Sequence, residues 1–246
     1  MKILPLIGAA LLLGLSGSLR AVDFSSTTFN GKRITVCQVD LRKGNLRLFL
    51  RDETGATFKR FDKLASWLAA RGEKLIFAMN GGMYHGNFAP VGLFISEGKT
   101  LEALNLSDAP GNFFLKPNGV FLISKSGAKI VESSEFPANG KGVLLATQSG
   151  PLLVQHGRLH SAFQSGSTSC LFRNGVGIVN ANTVVFAISE EPINFDEFAR
   201  GFRDTLHCQD ALFLDGTISS LYSPELKRSD FRMDLGPILG ITEPSR

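Results

Sequence analysis

Short apolar segments separated by polar turns dominate the chain from Ile34 onward and predict a β-rich fold. Three pairs of such segments flank connections of hairpin length: "ITVCQVDL" and "LRLFLRD" around 42–45, "VFLIS" and "AKIVES" around 125–127, and "VGIV" and "VVFAIS" around 180–183. Short connections that contain Gly or Asn join antiparallel strands. The pattern therefore predicts three antiparallel hairpins within a set of about ten strands.

Two segments depart from the strand pattern and predict helices. In "TFKRFDKLASWLAARG" and in "NFDEFARGFRDTLHC" the apolar residues recur every three or four positions, which places them on one face of a helix. Gly72 is a stop signal for the first helix. Asn194, followed three residues later by Glu197, resembles a capping box and marks the start of the second. Two main helices packed on a largely antiparallel or mixed sheet predict an α+β single domain.

The N-terminal segment has the pattern of an export signal. Lys2 precedes an uncharged stretch from Ile3 to Ser18, and Arg20 closes it near several small residues. We interpret residues 1–21 as a signal peptide, with an uncleaved anchor as the alternative, and residues 22–246 as the folded domain. The expected location is periplasmic or secreted, with no stable membrane span after cleavage.

Charge and cysteine content exclude some classes of function. The 246 residues are 43% hydrophobic and 20% charged, enough for a sizeable core. Loss of residues 1–21 removes two basic residues and no acid, so the net charge falls from +4 to +2, and no basic run indicates a nucleic-acid partner. Three cysteines allow one disulfide or none, and zinc-binding spacings are absent from the sequence.

Four apolar segments end in polar turns that contain glycine. They are Asn80-Gly81-Gly82, Ser149-Gly150-Pro151, Arg173-Asn174-Gly175 and Asp215-Gly216-Thr217. Each one alone is explained by turn chemistry, because Gly, Asn and Asp tolerate bent backbone. Taken together they predict a binding site, since functional groups gather on loops held by a rigid scaffold.

These turns and their surroundings resemble the phosphodiester glycosidase family, and in particular its bacterial exported branch. The resemblance is carried in one order by "FAMNGGMYHGNFAPVGLFISEGK", "GNFFLKPNGVF", "ATQSGPLLV", "RNGVGI", "VFAISEEPINFDEFARGFRD" and "ALFLDGTISSLYSPEL". It implies hydrolysis of a sugar 1-phosphodiester such as an N-acetylglucosamine 1-phosphodiester, the bond cleaved by the family's eukaryotic uncovering enzyme. Thr217 stands where the stronger family motif has a second glycine, so the resemblance alone does not assign the eukaryotic substrate to this chain.

The chemistry of that reaction selects candidate site residues. Asp215 is the first catalytic candidate, as general base or as support for a cationic sugar, and Glu190 is the second, as acid or nucleophile. His85 is a possible acid. The candidates for binding substrate or phosphate are Arg173, Asn80, Gly81, Gly82, Ser149, Gly150, Asn174, Gly216 and Ser219.

Each candidate also has a structural interpretation that the sequence leaves open. Asp215 suits an Asx turn, Glu190 a solvated strand end, Arg173 an ion pair and His85 an exposed loop, while the small polar residues suit turn backbone. The sequence requires no cofactor, although Ca²⁺ or Mg²⁺ is compatible with oxygens near Asp215. The expected partner is a glycan or sugar-phosphate substrate in the envelope, and the alternative function is a non-catalytic module that binds phosphorylated glycans during exopolysaccharide assembly.

Overall fold

Antiparallel strands make up most of the chain in the computed structural model, which describes residues 20–245. In chain order the strands are β1 (Val22–Phe29), β2 (Lys32–Asp40), β3 (Asn45–Phe49), β4 (Glu73–Asn80), β5 (Phe94–Ser96), β6 (Lys99–Glu102), β7 (Gly119–Ser124), β8 (Gly127–Glu132), β9 (Val143–Ser149), β10 (Leu152–Gln155), β11 (Arg158–Leu159), β12 (Asn174–Asn180), β13 (Thr183–Ser189), β14 (Asp210–Asp215), β15 (Leu221–Ser223), β16 (Arg228–Ser229) and β17 (Ile238–Pro244). The helices are α1 (Phe61–Ala69), α2 (Phe136–Asn139) and α3 (Phe195–Arg200). The predicted signal peptide, residues 1–21, lies almost entirely outside the described range.

The strands form three sheets within residues 20–245. Sheet I has the order β1-β2-β13-β12-β14-β10-β11, sheet II the order β16-β15-β4-β17-β3, and sheet III the order β6-β5-β9-β7-β8. Buried side chains from all three sheets meet in one central cluster, which includes Phe77, Phe121, Phe186 and Leu212. Because the sheets share this core, the described residues fold as a single α+β domain.

The two predicted helices cover the outer faces of the sheets. Helix α1 packs Phe61, Leu64 and Leu68 against sheet II, and the apolar spacing of three and four explains that face. Helix α3 is capped by Asn194, whose side chain accepts from the Glu197 amide at 2.9 Å, as the capping motif predicts. It continues as a π-helical turn over 201–205 and covers sheet I. The predicted helices are therefore confirmed.

Two of the three predicted hairpins are confirmed, and one is wrong. Strands β7 and β8 pair across their short turn, and so do β12 and β13. Strands β2 and β3 do not pair with each other, because β2 lies between β1 and β13 in sheet I and β3 pairs with β17 in sheet II. A four-residue connection can also carry a chain from one sheet to the next, and local sequence does not separate the two cases.

The cysteines form no disulfide in the described part of the chain. Cys37 and Cys208 are buried and Cys170 is half-buried. Burial raises the pKa of Cys208 to about 12 and that of Cys37 further still, so both remain neutral thiols. They act as small core residues, which agrees with one of the alternatives expected for Cys37. No helix among residues 20–245 is both long enough and apolar enough to cross a membrane.

Gly201 fixes the distance between helix α3 and strand β1. A β-carbon added there would lie 2.1 Å from the ring of Phe29, which is itself buried. We expect Gly201→Ala to destabilise the fold by about 1–3 kcal/mol through overpacking, although alanine favours helix more than glycine does. Urea unfolding measures the change, with Gly86→Ala as control because nothing lies within 4 Å of its added carbon. A Gly201→Ala protein as stable as the parent would show that Phe29 can move aside.

Candidate active site

The four glycine-containing turns lie together where strands of the three sheets end. Asn174 begins β12 and is paired with Asp215, the last residue of β14, in sheet I. Asn80 ends β4 of sheet II, and its side-chain oxygen accepts a hydrogen bond from Asn174 Nδ2 at 2.6 Å. Ser149 ends β9 of sheet III and donates to the Leu214 carbonyl at 3.1 Å. Residues from three sheets thus form one polar cluster around Asp215.

The orientation of the Asn80 amide follows from its two hydrogen-bond donors. Its Oδ1 accepts from Asn174 Nδ2 and also from the Ser220 amide at 3.1 Å, so the Nδ2 group must point the other way. That Nδ2 atom is buried and has no hydrogen-bond partner among the described residues. It faces Asp215 closely enough to lower the pKa of that carboxyl without reaching hydrogen-bond geometry. A buried donor is therefore available beside the carboxyl group.

Asp215 is an acid of unusual pKa. Its side chain is buried, with the residue 9% exposed, and the Gly216 amide donates to Oδ1 at 2.6 Å. Burial raises the pKa of Asp215 to about 7, and the Gly216 amide and Asn80 only partly oppose this rise. Both protonation states are populated near neutral pH, which is the condition for general acid–base chemistry.

The glycines of the first turn allow the sheets to approach closely. A β-carbon on Gly81 would lie 3.0 Å from the Leu239 amide nitrogen in sheet II. Gly82 has φ of +142°, and its added β-carbon would lie 2.8 Å from Thr147 Oγ1 in sheet III. Thr147 Oγ1 also donates to the Gly81 carbonyl at 2.6 Å. Close packing of backbone accounts for both glycines, and the same holds for Gly150, where an added β-carbon would lie 2.7 Å from the Phe113 carbonyl oxygen.

Arg173 is fully buried on the opposite face of sheet I from Asn174. Its Nε donates to the Ile193 carbonyl at 2.7 Å and its Nη2 to the Ser169 carbonyl at 3.0 Å. The guanidinium carbon lies 3.6 Å from the ring centroid of Phe195. Burial lowers the pKa of Arg173 to about 10. Among the described residues it has no carboxylate partner, and its Nη1 has no hydrogen bond. The ion pair considered from the sequence is therefore not what the structure shows.

Glu190 follows the last residue of β13 at the same end of sheet I, but it belongs to a separate charged cluster. Its Oε1 accepts from Thr35 Oγ1 at 2.6 Å and forms an ion pair with Arg228. Arg228 also pairs with Asp230 at 2.8 Å. No hydrogen bond joins Glu190 to Asp215 within the described residues, and Glu190 is more enclosed than a solvated strand end.

The remaining candidates hold turns. Ser219 donates to the carbonyls of Asp215 and Gly216, at 3.1 and 2.6 Å, and so closes the loop that follows β14. His85 is exposed, and its side chain makes no hydrogen bond with the part of the chain that the structure describes. Its backbone closes the turn 85–89.

Two residues of the site, Ser220 and Tyr84, were not among the candidates named from the sequence. Ser220 reaches the cluster through its backbone amide, which any residue type could supply. Tyr84 is the second of these residues. Burial, and then the negative charges of Asp215 and Asp234, raise its pKa to about 12. Its hydroxyl donates to the Asp234 carbonyl. The position of Tyr84 just after Asn80-Gly81-Gly82 is the one signal that could have identified it.

Across residues 20–245, no group of three or more His, Cys, Asp or Glu side chains is placed to hold a metal ion.

The polar cluster lies within a region that matches a known protein family. The family model described as phosphodiester glycosidase matches residues 73–231, well over half of the chain and all four turns. The chain belongs to the phosphodiester glycosidase family. The resemblance seen in the sequence motifs is thereby confirmed.

Relatives of the chain cover its sequence and fold to different extents. The Escherichia coli (strain K12) protein YigE is 40% identical over 145 residues, which are 59% of this chain and only 57% of that protein. Among solved structures, the auto-inhibited catalytic domain of zebrafish N-acetylglucosamine-1-phosphodiester alpha-N-acetylglucosaminidase has a TM-score of 0.62 at 14% identity, covering 89% of this chain and 81% of its own. A Synechocystis protein has a TM-score of 0.55 at 15% identity, covering 90% and 61%. At these identities the two structures show a shared fold.

Proposed function

We propose that this phosphodiester glycosidase hydrolyses the bond between an anomeric carbon and a phosphodiester, in a substrate resembling an N-acetylglucosamine 1-phosphodiester. The observation that carries the proposal is Asp215, a buried carboxyl whose pKa is about 7, set beside an unpartnered amide donor. The zebrafish enzyme with the same fold is named for that class of bond. The products are the free sugar and a phosphate monoester.

Asp215 acts as the general base in this proposal. The bond from the anomeric carbon to the phosphate oxygen breaks through a state with oxocarbenium character, and water attacks the same carbon. Asp215 accepts the proton that the water loses, and in its ionised form it also stabilises the positive sugar. The phosphate monoester leaves with the bonding electron pair as a stabilised anion, so the step requires no strong acid.

The neighbouring residues orient and support this carboxyl group. Asn80 offers its free Nδ2 to Asp215 or to a sugar hydroxyl, and Asn174 holds Asn80 in that orientation. Ser149 fixes β9 against β14. Arg173 holds the segment before β12 through backbone carbonyls, and its positive charge favours an anionic substrate. Glu190 positions Arg228 rather than contacting the sugar.

We further propose that the protein acts after export, on an envelope or extracellular glycan. The pattern of residues 1–21 supports export to the periplasm or beyond. The reaction described requires no cofactor, and assays with added Ca²⁺ or Mg²⁺ test whether a cation contributes.

A direct assay of the mature protein tests the proposed activity. Purified protein should release N-acetylglucosamine and a phosphate monoester from N-acetylglucosamine 1-phosphodiesters of both anomeric configurations, presented in parallel. Saturable binding of these compounds without turnover would replace hydrolysis with the alternative function, a module that binds phosphorylated glycans.

The pH dependence of kcat/KM tests the role of Asp215. Because a general base must be ionised, kcat/KM should rise about tenfold per pH unit below pH 7 and level off above it, with a midpoint near the pKa of about 7. The phosphodiester carries one negative charge throughout this range, so substrate ionisation does not contribute. A decline in kcat/KM above pH 7 would show instead that Asp215 donates a proton.

A further inference from the structure

An exposed segment beside the candidate active site presents an arginine that belongs to none of the sequence motifs. Phe231, Arg232 and Met233 follow β16, and Phe231 and Met233 are each 57% exposed. Arg232 lies one residue beyond the part of the chain matched by the family model. The ring of Phe231 contacts the Arg60 guanidinium, whose carbon lies 4.3 Å from the ring centroid, but most of the segment remains in solvent.

Contacts on two sides connect this segment to neighbours of the Asp215 turn. On one side, the Arg232 guanidinium carbon lies 3.9 Å from the ring centroid of Phe172. The Phe172 carbonyl oxygen is in turn 4.0 Å from the β-carbon position of Gly216, whose amide binds Asp215. Arg232 is therefore separated from the Asp215–Gly216 turn by a single residue.

The other side of the segment is anchored near Asp215 through Tyr84. The Tyr84 hydroxyl donates to the Asp234 carbonyl, and a β-carbon on Gly236 would lie 2.5 Å from the Tyr84 ring. The negative charge of Asp215 contributes to the raised pKa of Tyr84. Asp230, the residue just before the exposed segment, accepts a hydrogen bond on Oδ2 from the Leu221 amide at 3.0 Å. Arg232 thus lies between Asp230 and Asp234, which are both held by hydrogen bonds to the fold.

Arg232 differs from Arg60, Lys59 and Arg228 in having no acidic partner among the described residues. Arg60 pairs with Asp62 at 2.9 Å, Lys59 with Asp234 at 3.6 Å, and Arg228 with Glu190 and Asp230. Within residues 20–245, Arg232 makes no ion pair and no hydrogen bond, and its contact is the face of Phe172. A guanidinium stacked on a ring keeps its N–H groups free at the edge for two oxygens of one phosphate.

We propose that Arg232 binds the phosphate of the scissile phosphodiester and so determines selectivity for sugar phosphodiesters over neutral glycosides. This inference rests on the proposed function. In this proposal the buried carboxyl and amides act at the sugar carbon, and the exposed guanidinium of Arg232 binds the phosphate that leaves. Phe231 and Met233 flank the path taken by the group attached beyond the phosphate.

Binding of N-acetylglucosamine 1-phosphate, measured by calorimetry, tests the proposal without any need for turnover. Arg232→Ala should weaken binding about 10- to 100-fold, and Arg232→Lys should recover part of the loss because it keeps the charge but not the paired donors. Arg60→Ala is the matched control, since Arg60 also stacks on a ring, that of Phe231, but is engaged by Asp62. Its affinity should equal that of the parent.

Kinetics separate this proposal from the proposed function. With N-acetylglucosamine 1-phosphodiester as substrate, Arg232→Ala should raise KM by the same factor, whereas KM for a neutral aryl N-acetylglucosaminide should not change. Equal affinity of parent and Arg232→Ala for the sugar phosphate, or no measurable binding by the parent, overturns the role of Arg232. Loss of affinity in Arg232→Ala without turnover by the parent supports Arg232 and removes only the hydrolytic reaction.

Discussion

Replacing Asp215 by asparagine is expected to lower kcat for sugar release by about 10²- to 10⁴-fold and, at pH 8, to make the folded protein more stable than the parent. Asparagine has the same shape and can still accept the Gly216 amide, but it cannot take a proton from water. The catalytic loss therefore arises from the missing base and not from a disturbed fold. Single-turnover assays on the parent and the variant measure it.

The gain in stability follows from the raised pKa. Burial moves the pKa of Asp215 from 3.8 to about 7, so between these values the folded protein binds a proton that the unfolded chain releases. The contribution of Asp215 is most favourable below about pH 4, falls as pH rises to about 7, and is constant above that. At pH 8 the parent holds a buried carboxylate, and asparagine should stabilise the fold by about 2–4 kcal/mol.

Urea unfolding of parent and variant gives the change in unfolding free energy caused by Asp215→Asn, and this change is compared between pH 5 and pH 8. The advantage of Asp215→Asn should be larger at pH 8 than at pH 5 by about 2–3 kcal/mol, because stability is lost with rising pH until the folded carboxyl ionises at about 7. Asp52→Asn is the control, because hydrogen bonds from Thr54 and nearby amides hold the pKa of Asp52 below its usual range, so its effect on stability should be the same at pH 5 and pH 8. A pH-independent difference for Asp215→Asn would mean that Asp215 is ionised at pH 5.

Replacing Arg173 is expected to unfold the protein more readily rather than to weaken substrate binding directly. Arg173→Lys cannot reach both the Ile193 and Ser169 carbonyls and should cost about 1.5–3 kcal/mol, while Arg173→Ala, which also leaves a cavity, should cost about 3–5 kcal/mol. Urea midpoints at constant m-value measure both losses.

The control separates the structural role of Arg173 from phosphate binding. Arg203→Lys changes an exposed arginine paired with its neighbour Asp204 and should alter stability by less than about 0.5 kcal/mol. If Arg173→Lys unfolds like the parent but raises KM for the phosphodiester, Arg173 contacts the phosphate as first expected from sequence.

Sequence patterns predicted the class of fold because helix and strand periods are local. The apolar spacing around Phe61 and Leu64 and the Asn194 cap are readable within a dozen residues, and the structure has both helices. The partners of β3 depend instead on β17, which is about 190 residues away in the chain, and no local rule connects them. The same limit explains why one hairpin prediction was wrong.

The site was predictable in part for a similar reason. Strand ends with amides, hydroxyls and glycine mark the four turns, and the structure brings them together at Asp215. What each residue contacts there depends on which face of the strand it occupies, which separates Arg173 from Asn174. Ser220 lies within a quoted motif but contributes its backbone amide, which no side chain reveals, and Arg232 lies outside the motifs and the matched residues.

The hydrogen bond between Asn80 and Asn174 joins sheet II to sheet I, and Ser149 adds sheet III. No single sheet contains enough of the cluster to perform the reaction. A partly unfolded protein in which one sheet separates from the others keeps most of its hydrogen-bonded strands, yet it has no base held beside its orienting amide. Under the proposed function, sugar release reports whether the three sheets are assembled, because a chain that has formed its secondary structure without docking its sheets should release no sugar.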